Sequence, residues 1–100
     1  MTDTVYTQEQ IKTILEPVFA GYNVKKAILF GSYAKGLADK KSDVDILVDS
    51  GLRGLSFVGL IEDVSKTLNK DVDLFDTTHI IPHSLIESEI NKDGVLLYGE

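Results

Sequence analysis

One hundred residues carry ten lysines and arginines against sixteen aspartates and glutamates, a net charge of −6, with 43% hydrophobic residues and no cysteine. That length suits one small domain filling residues 1–100, with a real but narrow core. The acidic balance argues against tight non-specific binding to a nucleic-acid backbone, and the missing cysteines exclude disulfides, thiolate metal sites and cysteine nucleophiles. No apolar run approaches the length of a membrane-spanning helix, and MTDTVYTQEQ lacks the basic-then-apolar pattern of a secretory leader, so the expected setting is cytoplasmic.

The elements follow in chain order. Thr7-Gln8-Glu9-Gln10 reads as a capping box, and Ile11, Ile14, Leu15, Val18 and Phe19 continue it as one apolar helical stripe ending near Gly21. Ala27 to Phe30 is a short apolar run stopped by glycine, the pattern of a buried strand. Val44 to Val48 predicts a second strand. Leu55 to Leu68 predicts a second long helix, with Phe57, Leu60, Ile61, Val64 and Leu68 on its apolar side. Asp71 to Phe75 predicts a third strand. Pro82 suits the first turn of a further helix carrying Leu85, Ile86 and Ile90. Asp93-Gly94 makes a turn before a last strand, Val95 to Tyr98. The order α-β-loop-β-α-β-α-β predicts an α/β (α+β) fold, a small mixed sheet of about four strands with helices packed on one face.

The segment from Gly31 to Ser42 is the one long polar connection between two strong strands, and long loops inside compact domains are commonly functional. Strand periodicity then sorts the acids. In the second strand Val44, Ile46 and Val48 share one face and Asp43, Asp45, Leu47 and Asp49 the other. In the third, Val72 and Leu74 oppose Asp71, Asp73 and Phe75. If the apolar faces lie under the helices and the strands are neighbours, Asp43, Asp45 and Asp73 converge on the open face. Carboxylates so gathered repel one another unless a cation is present. Hard oxygen ligands of this kind suit Mg²⁺ or Mn²⁺. Asp71 has the parity of Asp73 and is the rival third ligand. Alternating acids on a half-exposed sheet can also be a plain solvated face. Gly31-Ser32 adds a place where backbone can approach a ligand closely, with a hydroxyl for a phosphate oxygen. If Ser32 to Lys35 open a helical turn, their free N–H groups favour an anion. His79 and His83 stand four apart, but Pro82 between them removes the helical spacing a metal pair would use.

Gly31-Ser32-Tyr33-Ala34-Lys35-Gly36 followed by Ser42-Asp43-Val44-Asp45 resembles the Gly-Ser…Asp-x-Asp signature of DNA-polymerase-β-like nucleotidyltransferases. More narrowly, the chain is similar to the minimal nucleotidyltransferase (MNT) domains, with Val72 to Phe75 where that family carries its third acidic strand. The resemblance implies that Gly31 and Ser32 hold the β- and γ-phosphates of ATP, with Lys35 where relatives often carry arginine. Asp43, Asp45 and Asp73 would bind Mg²⁺ (or Mn²⁺), and Asp73 would help deprotonate the attacking hydroxyl. It also implies a partner, because larger relatives present their acceptor on added helical domains. MNT domains resemble the antitoxin half of toxin–antitoxin pairs whose other half is a helical HEPN protein. The implied activity is transfer of AMP to a tyrosine of that toxin within a hetero-oligomer, with no direct nucleic-acid or membrane contact. The alternatives are a non-catalytic antitoxin acting by contact alone, and a small-molecule nucleotidyltransferase of the aminoglycoside type that needs a second subunit.

Overall fold

The computed structural model describes residues 5–99. The elements are α1 (Gln8–Gly21), β1 (Lys26–Phe30), α2 (Gly31–Lys35), β2 (Val44–Asp49), α3 (Leu55–Leu68), β3 (Val72–Asp76), a 3-10 turn (Thr77–His79), α4 (Leu85–Asp93) and β4 (Val95–Gly99). The four strands form one sheet in the order β3-β2-β1-β4. β1 pairs antiparallel with both β2 and β4, and β2 pairs parallel with β3. The parallel pair follows from α3, because two strands pointing the same way need a crossover long enough to carry the chain back.

The apolar stripes do what their spacing dictates. Ile11, Leu15 and Phe19 of α1 and Leu60, Val64 and Leu68 of α3 are fully buried against Ala27, Leu29, Val44, Ile46 and Val48 of the sheet. Val72, Leu74 and Leu97 extend the same layer to the outer strands. The capping box is formed: the Gln10 N–H donates to the Thr7 hydroxyl at 3.0 Å, and the Thr7 N–H donates to Gln10 Oε1 at 2.8 Å.

Strand ends differ from the sequence reading by a residue or so: β1 starts at Lys26, β2 runs on to Asp49, β3 spans Val72–Asp76 and β4 reaches Gly99. Asp71 thus lies just outside β3, although its carbonyl still accepts from the Val44 N–H at 3.1 Å. The last helix is the larger difference. It begins at Leu85 rather than at Pro82, because the Ser84 hydroxyl caps it by accepting from the Glu87 N–H at 3.2 Å. His83 just before it has φ +64, a left-handed residue that no helix continues through. A side-chain cap, with the Glu87 carboxylate accepting from the His83 N–H at 3.1 Å, overrides the preference of proline for a first turn.

Asp76 illustrates how parity decides a carboxylate's fate. It shares the face of Val72 and Leu74, is 3% exposed, and accepts from the N–H and hydroxyl groups of both Ser50 and Thr78. Burial alone would raise its pKa, but these four hydrogen bonds outweigh it and hold the carboxyl below its ordinary value. Asp76 therefore staples the far end of β2 to β3.

α2 is a single helical turn held from both sides. Gly36 ends it in the left-handed conformation at φ +74, and the Leu37 N–H returns to the Ser32 carbonyl at 2.9 Å. From α1, the Gln8 side-chain amide donates to the Tyr33 and Ala34 carbonyls at 3.2 and 3.0 Å. Tyr33 is 3% exposed, and its hydroxyl has no hydrogen-bond partner among the described residues. Burying such a group costs about 1–3 kcal/mol. Tyr33→Phe is therefore expected to unfold at equal or higher denaturant concentration than the wild type, gaining about 1 kcal/mol. A clear loss of stability would show that the hydroxyl is satisfied.

Candidate active site

The residues singled out in the sequence meet where β1 ends and β2 and β3 begin. The sheet register sets Phe30 beside Asp45 and Asp45 beside Asp73, so one cross-strand row reads Phe30, Asp45, Asp73. The next row on that face is Ile28, Leu47, Phe75. Asp45 and Asp73 thus stand on neighbouring strands, on the face away from the α1–α3 core. Asp43 precedes β2 by one residue and is exposed, as is Asp73, whereas Asp45 is half-buried. The chain entering β2 is fixed by a turn in which Asp39 accepts from the Lys41 N–H at 2.9 Å and the Ser42 hydroxyl accepts from the Asp39 N–H at 3.0 Å.

Gly31 sits directly against this row. It has φ +72, and a Cβ placed on it would collide with the carboxylate of Asp45. Sequence reasoning assigned the glycine to close approach of a ligand; in the structure the close approach is by Asp45. The glycine opens α2, whose first-turn N–H groups have no acceptor within the helix. Ser32 is half-buried in that turn. The carboxylate of Asp45 and the backbone of the Gly-Ser turn therefore border one space.

Asp45 carries the electrostatic signature of the site. Its pKa is raised from 3.8 to about 6, first by burial, then by the charge of Asp73 and a hydrogen bond with it, and then by the charges of Asp43 and Glu89. The folded carboxyl keeps its proton up to about pH 6 while an unfolded aspartate loses it near 3.8. The folded state binds more protons across that window, so its stability falls as pH rises through it. Without divalent cation, the melting temperature is expected to decline over that window. Asp45→Asn should remove that component, which is small because Asp45 is partly open to solvent. A wild type and variant with identical pH profiles would contradict this.

Lys35 and Glu89 are arranged in a way the sequence did not disclose. The Lys35 ammonium donates to the Glu89 carboxylate at 2.9 Å, joining α2 to α4 across an open cleft of about 710 Å³ that Leu85 and Lys92 also line. The hydrogen bond to Glu89 and then its charge raise the Lys35 pKa. Lys35 is thus turned toward α4. Glu89 is a fourth acid near Asp45, distant in sequence and carried by a helix whose register the sequence placed only roughly. A Glu directly ahead of the apolar Ile90 gave no signal of its own.

Among the described residues, no three acids or histidines are gathered so that they close on a metal ion by themselves. Asp45 and Asp73 are brought together, and Asp43 lies near enough to act on Asp45 by its charge. His79 lies elsewhere: its Nδ1 accepts from the Asp76 N–H at 3.0 Å and its ring packs edge-on against Phe57 at 5.3 Å. The donor set still fits Mg²⁺. That ion takes one or two carboxylates and fills its other positions with water and phosphate oxygens, and Asp45 and Asp73 stand side by side on neighbouring strands.

Comparison with known proteins places the chain in a family. The family model described as "Polymerase beta, Nucleotidyltransferase" matches residues 9–100. Two proteins of Methanocaldococcus jannaschii are similar in sequence. "Putative protein adenylyltransferase MJ0435" is 34% identical over 89 residues, spanning 86% of this chain and 92% of that protein. "Putative protein adenylyltransferase MJ1379" is 36% identical over 76 residues, 72% of this chain and 75% of that protein. In fold, the chain is similar to a toxin–antitoxin crystal structure with AMP-PNP, with a TM-score of 0.75 and 24% identity over 89% of this chain and 73% of that one. It is also similar to a chain in the complex of a tri-AMPylated Shewanella oneidensis HEPN toxin with its MNT antitoxin, with a TM-score of 0.70 and 21% identity over 94% of this chain and 74% of that one. With its mixed four-stranded sheet, the chain belongs to the polymerase-β-type nucleotidyltransferase family.

Proposed function

We propose that this protein transfers AMP from ATP, with Mg²⁺ (or Mn²⁺), to a tyrosine hydroxyl of a helical HEPN-type partner, and so acts as an antitoxin within a cytoplasmic hetero-oligomer. The observation that carries the reading is the pairing of Asp45 with Asp73 beside the Cβ-free surface of Gly31. The names of the M. jannaschii relatives and of the toxin–antitoxin neighbours point the same way. No helix among the described residues is long and apolar enough to cross a membrane.

Each residue has a task in that chemistry. The Gly31-Ser32 turn receives the β- and γ-phosphates through backbone N–H groups and the Ser32 hydroxyl. Lys35 leaves Glu89 to add positive charge to the same phosphates, as a point charge rather than a planar fork. Asp43, Asp45 and Asp73 would hold the metal, which when bound stabilises charge on the attacking and leaving oxygens. The acceptor oxygen bonds to the α-phosphorus as the bond to the β-phosphate oxygen breaks. Pyrophosphate leaves on the side of the Gly-Ser turn, and Asp73 takes the acceptor's proton. The protein's own contribution is placement and fixed charge.

The test is the intact mass of a HEPN partner co-produced with the wild type or with Asp43→Asn/Asp45→Asn. A partner heavier by whole AMP units with the wild type alone is the expected result. A partner held by both proteins and modified by neither would make this a contact-only antitoxin. Absence of any complex would direct attention to small-molecule acceptors.

A further inference from the structure

Behind the carboxylate pair lies an aromatic surface that the chemistry above leaves unused. The rings of Phe30 and Phe75 meet across β2, centroids 5.9 Å apart and tilted by 47°, with Leu47 in the row between their strands. Phe30 is buried at 3% exposure and Leu47 at 9%, whereas Phe75 is only half-buried. Phe75 lies two residues beyond Asp73 on the same face of β3, and β3 is an edge strand of the sheet. The Gly-Ser turn lies at the opposite side of the row, following β1. In an in-line transfer the leaving group and the attacking group occupy opposite sides of the phosphorus. With the phosphates at the β1 side, the acceptor comes over β3, where the first side chain behind the proton-accepting carboxylate is an aromatic ring.

We infer that Phe75, backed by Phe30, is the floor on which the acceptor's own ring rests, so that the site selects a phenolic hydroxyl over an aliphatic one. The inference rests on the nucleotidyl-transfer reading above and adds the residue that determines the acceptor class. A serine or sugar hydroxyl gains nothing from this surface. A phenol buries its ring in offset or tilted contact with Phe75 while its oxygen reaches Asp73. The open edge at β3 leaves room for an acceptor presented on another protein.

The experiment uses the whole chain with Mg²⁺ and a nonhydrolysable ATP analogue, titrated with N-acetyl-tyrosinamide or N-acetyl-serinamide and followed by backbone amide NMR. The expected result has two parts. Nucleotide moves the amides of Gly31 and Ser32, and tyrosinamide then moves those of Asp73 and Phe75 saturably while serinamide does not. In Phe75→Leu, and in Phe75→Met as a second variant of similar bulk, tyrosinamide binding weakens about fivefold or more with the nucleotide response unchanged, which a merely structural role would not produce. Nucleotide binding without any tyrosinamide response overturns the inference and leaves the transfer reading standing. Movement of Phe75 by the nucleotide alone, with tyrosinamide excluded, assigns the floor to the nucleobase and also overturns it. If the nucleotide does not bind, the transfer reading fails and the inference falls with it.

Discussion

Asp43→Asn/Asp45→Asn is expected to lose the thermal stabilisation that Mg²⁺-ATP gives the wild type. A ligand present at roughly 100 times its dissociation constant stabilises the native state by about 2.7 kcal/mol. For a domain of this size that raises the melting temperature by about 10 °C or more. The doubly substituted chain keeps the Gly-Ser turn but has lost two of the negative charges that attract the metal, so its shift should be near zero. Transfer to any acceptor should fall by at least about a hundredfold, the scale for removing a preorganised charge-stabilising group. The control lies in the free protein. Burial and the charges of Asp73, Asp43 and Glu89 raise the Asp45 pKa, so at neutral pH the ionised cluster works against folding. The variant without metal should therefore melt at or above the wild-type temperature. A variant that melts higher and no longer responds to Mg²⁺-ATP has lost a site and kept its fold. A full response in the variant would remove these aspartates from the mechanism.

Gly31→Ala carries the second large effect. The residue sits at φ +72, where a side chain is strained whatever surrounds it, and the new Cβ would strike the Asp45 carboxylate. Strain of this kind costs about 1–3 kcal/mol. The displaced carboxylate must then move on a strand whose register is locked on both sides. A combined loss of about 2–4 kcal/mol is expected, measured by denaturant unfolding. The loss should be partly recovered in Gly31→Ala/Asp45→Ala, because the second substitution removes the group that the first one strikes. Such non-additivity is the mark of direct contact. Strictly additive losses would show that Gly31 matters for its backbone angle alone. Gly36→Ala is the instructive contrast: φ is similar at +74, but a Cβ there meets open space, so only the backbone strain remains.

Much of this site was legible in the amino-acid order because its logic is local. A capping threonine at position 7 with Gln10, the stripe from Ile11 to Phe19 and the run from Leu55 to Leu68 each fix a helix from within its own residues. Strand parity alone put Asp43, Asp45 and Asp73 on the face opposite Val44, Ile46 and Val72, and the sheet bears this out for Asp45 and Asp73. The start of α4 was misplaced for a local reason as well: a proline and a serine two residues apart both signal a first turn, and the hydrogen bond to Glu87 favours the serine.

What the chain order determined by itself is the list of parts: two amphipathic helices, strands with one apolar face each, and a glycine-serine turn a fixed distance ahead of paired acids. Tertiary structure alone decided how they meet. Register is a property of two strands together, so only the folded sheet sets Asp73 rather than Asp71 beside Asp45 and lines up Phe30 with both. The clash that makes Gly31 necessary joins residues on different strands. The ion pair of Lys35 with Glu89 spans two helices far apart in sequence. The raised pKa of Asp45 has its physical origin in that assembly, since burial and neighbouring charges exist only once the strands are side by side.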